Sequence, residues 1–111
     1  MDDVENFQVE QARIMVVGCG GAGSNTINRL TELGVAGAAT VACNTDAKHL
    51  TVTKAHKKIL LGRELTRGLG AGGFPDVGRK AAEESKNDLR EALQGCDLLF
   101  LTCGLGGGTG T

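Results

Sequence analysis

Tryptophan and tyrosine are absent from this sequence, phenylalanine occurs 3 times and proline once. With so few aromatic faces (Phe7, Phe74 and Phe100) there is no platform on which nucleobases could stack. An excess of one charge is also missing. The 12 Lys and Arg oppose 13 Asp and Glu, and the net charge of −1 leaves no electrostatic footprint for nucleic acid or an anionic membrane. No apolar stretch approaches the roughly 20 residues needed to span a bilayer, which argues against direct membrane insertion. The opening Met1-Asp2-Asp3-Val4-Glu5 is acidic and lacks a signal-peptide hydrophobic region, which predicts a cytoplasmic protein. The 4 cysteines, at 19, 43, 96 and 103, make no C-x-x-C pair and no zinc spacing, and no histidine or carboxylate is spaced to complete a metal shell.

Glycine is what the chain has in excess, with 18 in 111 residues. That length allows one domain at most, and less than a whole one by size. The 41% hydrophobic and 23% charged fractions are ordinary for a soluble globular protein. Most glycines fall where strands should end, and two loops concentrate them: Gly18-Cys19-Gly20-Gly21-Ala22-Gly23-Ser24-Asn25 and Gly104-Leu105-Gly106-Gly107-Gly108-Thr109-Gly110-Thr111. Each follows an apolar run that reads as a buried strand, Ile14-Met15-Val16-Val17 and Leu98-Leu99-Phe100-Leu101. A strand that ends in glycines and opens a helix leaves backbone N–H groups pointing outward, backed by the positive end of the helix dipole. Two such anion sites on one sheet point to a ligand with several phosphates. The second loop stops where its helix is expected to begin.

Residues 1–12 are polar, with Val4 and Phe7 spaced for a short amphipathic turn. Arg13 to Val17 form the expected first strand. Ser24 caps or enters the next helix, whose Ile27, Leu30 and Leu33 recur along one face, and Gly34 closes it. Thr40–Cys43 give a second strand, and Asn44-Thr45-Asp46 a polar turn able to cap a short helix from Ala47 to about Thr53. His49 and His56 fall on the exposed face of that helix and the turn after it. Lys58–Leu61 form the third strand, followed by a long glycine-rich loop, Gly62 to Gly73. Pro75 and Asp76 open a long helix with an inward stripe of Val77, Ala81, Ser85, Leu89 and Leu93, closed by Gly95. Its other face mixes Arg79, Lys80, Glu83, Glu84, Lys86, Asp88, Arg90 and Glu91, a solvated surface. There is no internal repeat, low-complexity tract or interdomain linker.

This β-α-β-α-β-α-β alternation predicts an α/β fold, a doubly wound parallel, Rossmann-like sheet truncated after strand 4. In the order 3-2-1-4 the ligand crevice lies between strands one and four, the two that end in glycine loops. Cys19, Cys43 and Cys103 each fall at or just past a strand's carboxyl end, so they share the ligand edge or serve as small buried hydrophobes.

Taken alone, Gly18-x-Gly20-x-x-Gly23 is the dinucleotide fingerprint, which leaves an NAD- or FAD-binding Rossmann oxidoreductase as an alternative. The acidic residue such a site wants fits poorly, because Asp46 lies beyond the second strand inside a turn. The loop also fails as a Walker P-loop, with Ser24 where lysine is required. Phosphate charge must then be met by backbone amides and a bound Mg²⁺. Neither alternative accounts for Gly106-Gly107-Gly108-Thr109-Gly110-Thr111.

That last run resembles the signature of the tubulin/FtsZ superfamily. ARIMVVGCGGAGSN, the NTDAKHL turn and LTRGLGAGGFPDVGRKAAEES resemble its FtsZ branch, with an archaeal character, and the likeness covers essentially all of residues 12–111. It implies that 13–111 are the N-terminal part of a GTP-binding domain, with 1–12 as an extension. By motif, Gly20, Gly21, Ala22, Gly23, Ser24 and Asn25 would hold phosphates and approach the nucleoside. Asp46 would lie near phosphates and metal, or simply cap its helix. Ala71, Gly72 and Gly73 would sense the γ-phosphate. Gly107, Gly108, Thr109 and Gly110 would clasp the phosphates from the other side. Cys43 stands where relatives carry an aliphatic residue, a packing substitution.

The resemblance further implies GTP/GDP with Mg²⁺ as ligands, and a cytoplasmic cell-division GTPase assembling head-to-tail with itself at the division site, with other division proteins as possible partners. Its hydrolysis would occur between subunits, completed by an acidic loop beyond Thr111, so no catalytic residue is assigned within the chain. No general base, Ser/His/Asp set or activated thiol for another chemistry is evident. A third reading is an inert truncated product, or a regulatory variant that binds nucleotide without hydrolysing it. A bare fourth strand predicts an aggregation-prone or partly molten piece.

Overall fold

The computed structural model describes residues 12–111; the amphipathic turn expected at Val4 and Phe7, and all but the last residue of the 1–12 extension, lie outside them. Strands β1 (Ile14–Cys19), β2 (Ala38–Asn44), β3 (Lys57–Leu60) and β4 (Leu98–Cys103) form one sheet in the order β3-β2-β1-β4. Every pairing is parallel. The doubly wound topology expected from the sequence is therefore the one observed, and β1 and β4 are neighbours.

Alternation along the strands builds a core on each face. Val17, Val41, Cys43 and Ile59 pack on one side with Leu61, Ala81 and Ala92. Ala42 packs on the other with Ile27 and Leu50. Helices α1 (Gly20–Leu33) and α2 (Ala47–Val52) thus cover one face. Helices α4 (Pro75–Glu84) and α5 (Lys86–Ala92) cover the other, after a single turn α3 (Arg63–Thr66).

Glycines at the β1–α1 junction set the spacing of these layers. A Cβ on Gly18 would sit 2.2 Å from the Gly23 carbonyl oxygen, and one on Gly23 would sit 2.7 Å from the Thr102 carbonyl oxygen. Helix α1 therefore rests backbone-to-backbone on β1 and β4. Its far end closes as expected, with Gly34 in the left-handed region and its N–H donating to Leu30 O at 3.1 Å.

Three expectations need correction. Leu33 is 80% exposed, because a spacing of three falls short of the helical repeat of ~3.6 residues and drifts off the buried face that begins at Ile27. The long helix is broken at Ser85, whose buried Oγ accepts the Gly62 N–H at 2.9 Å. The loop from Gly62 contains α3, and Glu84 is not merely solvated: its carboxylate accepts the Glu64 and Leu65 N–H groups at 3.2 and 3.0 Å, capping that turn.

Strand β4 is apolar yet open. Leu98, Leu99, Phe100 and Leu101 are 44–64% exposed, and among the described residues β4 pairs with β1 alone. An uncovered apolar strand edge is a template for association. Light scattering of the 111-residue chain should rise with concentration, and Phe100→Lys with Leu101→Lys should suppress it. Equal scattering by parent and double variant would place the association elsewhere.

Candidate functional site

The carboxyl ends of β1, β2 and β4 open into a cavity of about 530 Å³. Its walls come from five places along the chain. The start of α1 supplies Gly21 and Ala22. The turn after β2 supplies Asn44, Thr45 and Asp46, with His49 behind it. The stretch Leu69–Gly73 forms a third wall, and Gly104 with Gly106–Gly110 a fourth; Cys19 sits at the floor.

Helix α1 begins without a linker, directly after β1. Gly20 is its first residue, with φ of 75°, and Cys19 at the cap position offers no side-chain hydrogen bond. The free N–H groups of the first turn therefore depend on something outside the helix. A Cβ on Gly20 would lie 2.7 Å from the Gly110 nitrogen, so the two glycine loops meet here backbone to backbone. The second loop is also pressed against α4: a Cβ on Gly78 would lie 2.8 Å from the Gly108 carbonyl oxygen. Gly106 and Gly107 face open space.

Side chains pin this backbone at few points. Thr45 Oγ1 and Thr109 Oγ1 share a hydrogen bond of 2.7 Å, tying the β2 turn to the second loop. Thr111 Oγ1 donates to Gly107 O at 2.6 Å. Asp46 caps α2 by accepting the His49 N–H at 3.1 Å and also lines the cavity. The Thr45 carbonyl receives the Gly70 N–H at 3.1 Å, which holds the third wall in place.

No Lys or Arg lines the cavity; its ionisable side chains are Cys19, Asp46 and His49. An anion placed there would meet main-chain N–H groups and the dipole of the 14-residue α1. One side-chain donor is ready as well. Asn44, 3% exposed, lines the cavity with its Nδ2 unpartnered while its Oδ1 accepts the Asp46 N–H.

Of the residues singled out from sequence, Gly21, Ala22, Asp46, Ala71, Gly72, Gly73, Gly107, Gly108, Thr109 and Gly110 all line this one cavity. Gly20 and Gly23 lie behind its wall as packing glycines. Ser24 is inside α1 rather than at its cap, fully buried, with Oγ unpartnered. Asn25 Oδ1 accepts from His49 Nε2 at 3.2 Å on the outer side. Sequence reasoning missed His49 as a lining residue, although its place three residues after the capping Asp46 turns it toward α1. It also assigned Asn44 and Thr45 only to a turn. The neighbouring Cys43 side chain lowers the Cys19 pKa from its usual value, against the opposing effect of burial.

The description "Tubulin/FtsZ family, GTPase domain" matches residues 13–111. The chain is 67% identical over 101 residues to cell division protein FtsZ 2 of Methanocaldococcus jannaschii, covering 91% of this chain and 27% of that protein. It is 65% identical over 105 residues to cell division protein FtsZ 1 of Pyrococcus abyssi, covering 93% and 28%. Among solved structures it is similar to an empty FtsZ dimer of M. jannaschii, with a TM-score of 0.90 and 60% identity over 96% of this chain and 31% of that one. It is also similar to a GTPγS-bound protofilament of CetZ2 from Haloferax volcanii, with a TM-score of 0.77 and 26% identity over 88% and 32%. The chain spans less than a third of the length of these relatives.

Proposed function

The chain belongs to the Tubulin/FtsZ family, and from that premise we propose that the cavity at the strand ends holds the phosphates of GTP or GDP. One observation carries the reading: two glycine loops and the start of α1 enclose a single cavity whose wall has no Lys or Arg. Such a wall recognises a polyphosphate through main-chain N–H groups, with the Asn44 amide as an added donor. The volume of about 530 Å³ lies within the range of ligand pockets.

Mg²⁺ fits the donor set in one way only. Among the described residues no cluster of three or more ligating side chains exists. Asp46 is, among the described residues, the one carboxylate lining the cavity. Magnesium is commonly held by one or two carboxylates together with substrate phosphates, and Asp46 can serve in that arrangement. When bound, the ion would neutralise phosphate charge.

With Asp46 given to the metal, the described lining offers no second carboxylate to activate water. We assign this chain to nucleotide binding and place the hydrolytic carboxylates on a second subunit stacked head-to-tail on the cavity mouth. Residues 13–111 then act as the N-terminal part of a filament-forming, cytoplasmic cell-division GTPase. No helix of the described residues is long and apolar enough to cross a membrane. The dinucleotide alternative rests on the first loop alone and leaves Gly106–Thr111 without a role.

A titration with fluorescent GTP tests the binding. GTP and GDP should displace the probe while NAD at the same concentration leaves it bound. Displacement by NAD, or no binding of the GTP probe, would overturn the assignment.

A further inference from the structure

Three of the 4 cysteines form a row. Cys19 is the in-register partner of Cys43 on β2 and of Cys103 on β4, so one line of thiols crosses three adjacent strands at their carboxyl ends. Paired residues of parallel strands point to the same face, here the face covered by α4 and α5, where Cys43 is buried and Cys19 packs against it. All three line a second cavity of about 370 Å³, which also takes in Leu61, Leu89 and Leu101. Cys19 alone among them belongs to both cavities. The resemblance read Cys43 as a packing substitution; its position gives it a chemical neighbour.

We infer that Cys19 and Cys43 are a reversible redox-modification site, closing to a disulfide when a hydroperoxide enters the cavity beside α4. Adjacent strands lie about 4.8 Å apart, inside the Cα separation of roughly 4.4–6.8 Å that a disulfide spans. With Cys19 lining two open cavities, the bridge is reachable by reducing thiols, the mark of a labile rather than a structural disulfide.

The chemistry divides between the two thiols. Cys19, part-exposed and lining both cavities, is the thiol a peroxide reaches, and Cys43 lowers its pKa, so its thiolate attacks one peroxide oxygen and becomes a sulfenic acid as hydroxide leaves. Cys43 is raised, first by its hydrogen bond to Cys19, then by burial, then by the Cys19 charge. Oxidation of Cys19 to a neutral sulfenic acid removes that charge and weakens that bond, which frees Cys43 to act. The Cys43 sulfur then attacks the Cys19 sulfur, the S–O bond breaks, and water leaves with the Cys43 proton. The peroxide is reduced by two electrons and the thiol pair oxidised by two. Cys103 is in register on the other side of Cys19 but lies outside the core cluster in which Cys43 and Cys19 pack, so Cys43 is the resolving thiol.

Peptide mapping reads this directly, because trypsin separates the partners into Ile14–Arg29 and Leu30–Lys48, with Cys96 and Cys103 together in Glu91–Thr111. After hydrogen peroxide and alkylation, the linked pair Ile14–Arg29/Leu30–Lys48 should dominate and disappear on adding dithiothreitol. Cys43→Ala, or Cys43→Val if the smaller side chain unsettles the core, should abolish the linked pair and, with the acidifying Cys43 thiol gone, leave a Cys19 sulfenic acid that dimedone traps more slowly than the parent forms the pair. Cys103→Ala should leave its yield at the parental level. Linkage of Ile14–Arg29 to Glu91–Thr111 instead, or Cys19 sulfinic acid with no linked pair in the parent, would overturn the inference. None of these readouts depends on nucleotide, so the inference and the proposed ligand fail separately.

Discussion

A chain carrying Gly107→Asp should melt where the parent melts and bind GTP about 30- to 1,000-fold more weakly. The fold is spared because a Cβ at this position meets nothing within 4 Å and Gly107 is not among the glycines with positive φ. The ligand is not spared. Gly107 lines the cavity, so a carboxylate there faces any phosphate held by the loop. Unit charges about 4 Å apart repel by about 4 kcal/mol at the effective dielectric of a protein surface, and solvent at this exposed loop reduces that to about 2–4 kcal/mol. The loss should shrink as salt is added. Gly107→Asn has nearly the same size without the charge and should bind far closer to the parent. Fluorescent GTP titrations at two ionic strengths, beside a thermal melt, separate the cases. Parental affinity in Gly107→Asp would mean that the phosphates lie away from this loop.

Gly18→Val should have the opposite profile, with stability lost whether or not a ligand is present. The atoms a side chain would strike are main-chain: Gly23 O at 2.2 Å and Gly23 C at 2.7 Å, with Ile27 Cγ1 at 2.4 Å. Main chain in a helix cannot rotate away, so α1 must lift from β1 and open the core around Ile27. Overpacking of this kind costs about 3 kcal/mol or more, a large part of a small domain's stability. At roughly 4–8 °C per kcal/mol for a domain this size, melting should fall by about 12–24 °C, or folding should fail. Gly106→Ala, in open space, should change stability by less than about 0.5 kcal/mol. Comparable urea midpoints for Gly18→Val and the parent would refute the backbone-on-backbone contact.

What could be read from the sequence was whatever depends on neighbours along the chain. The strand alternation, the Gly34 cap, Pro75 at a helix start and the two glycine loops each declare themselves within a few residues, and together they imply the sheet order. Hidden from it was whatever depends on a distant partner. The break at Ser85 needs the Gly62 N–H, and the turn Arg63–Thr66 needs the Glu84 carboxylate. Gly78 reads as an ordinary helix residue until the second loop lies against it. His49 enters the site because α2 is rotated by the Asp46 cap toward Asn25. The candidate site was legible as motifs, while the Asn44 donor and the Thr45–Thr109 bond emerged only from three-dimensional placement.

The interlock of Gly20 with Gly110 also fixes an order of events during synthesis. Ile14 pairs with Leu98, so the chain as far as β4 must leave the ribosome before that strand can dock beside β1. Until then the amide-lined hollow has only part of its wall, and nascent protein has no complete receptor for a polyphosphate. Under the proposed assignment, capture of the nucleotide would wait for β4 to dock, and a loaded molecule would certify that these four strands had closed in the correct order.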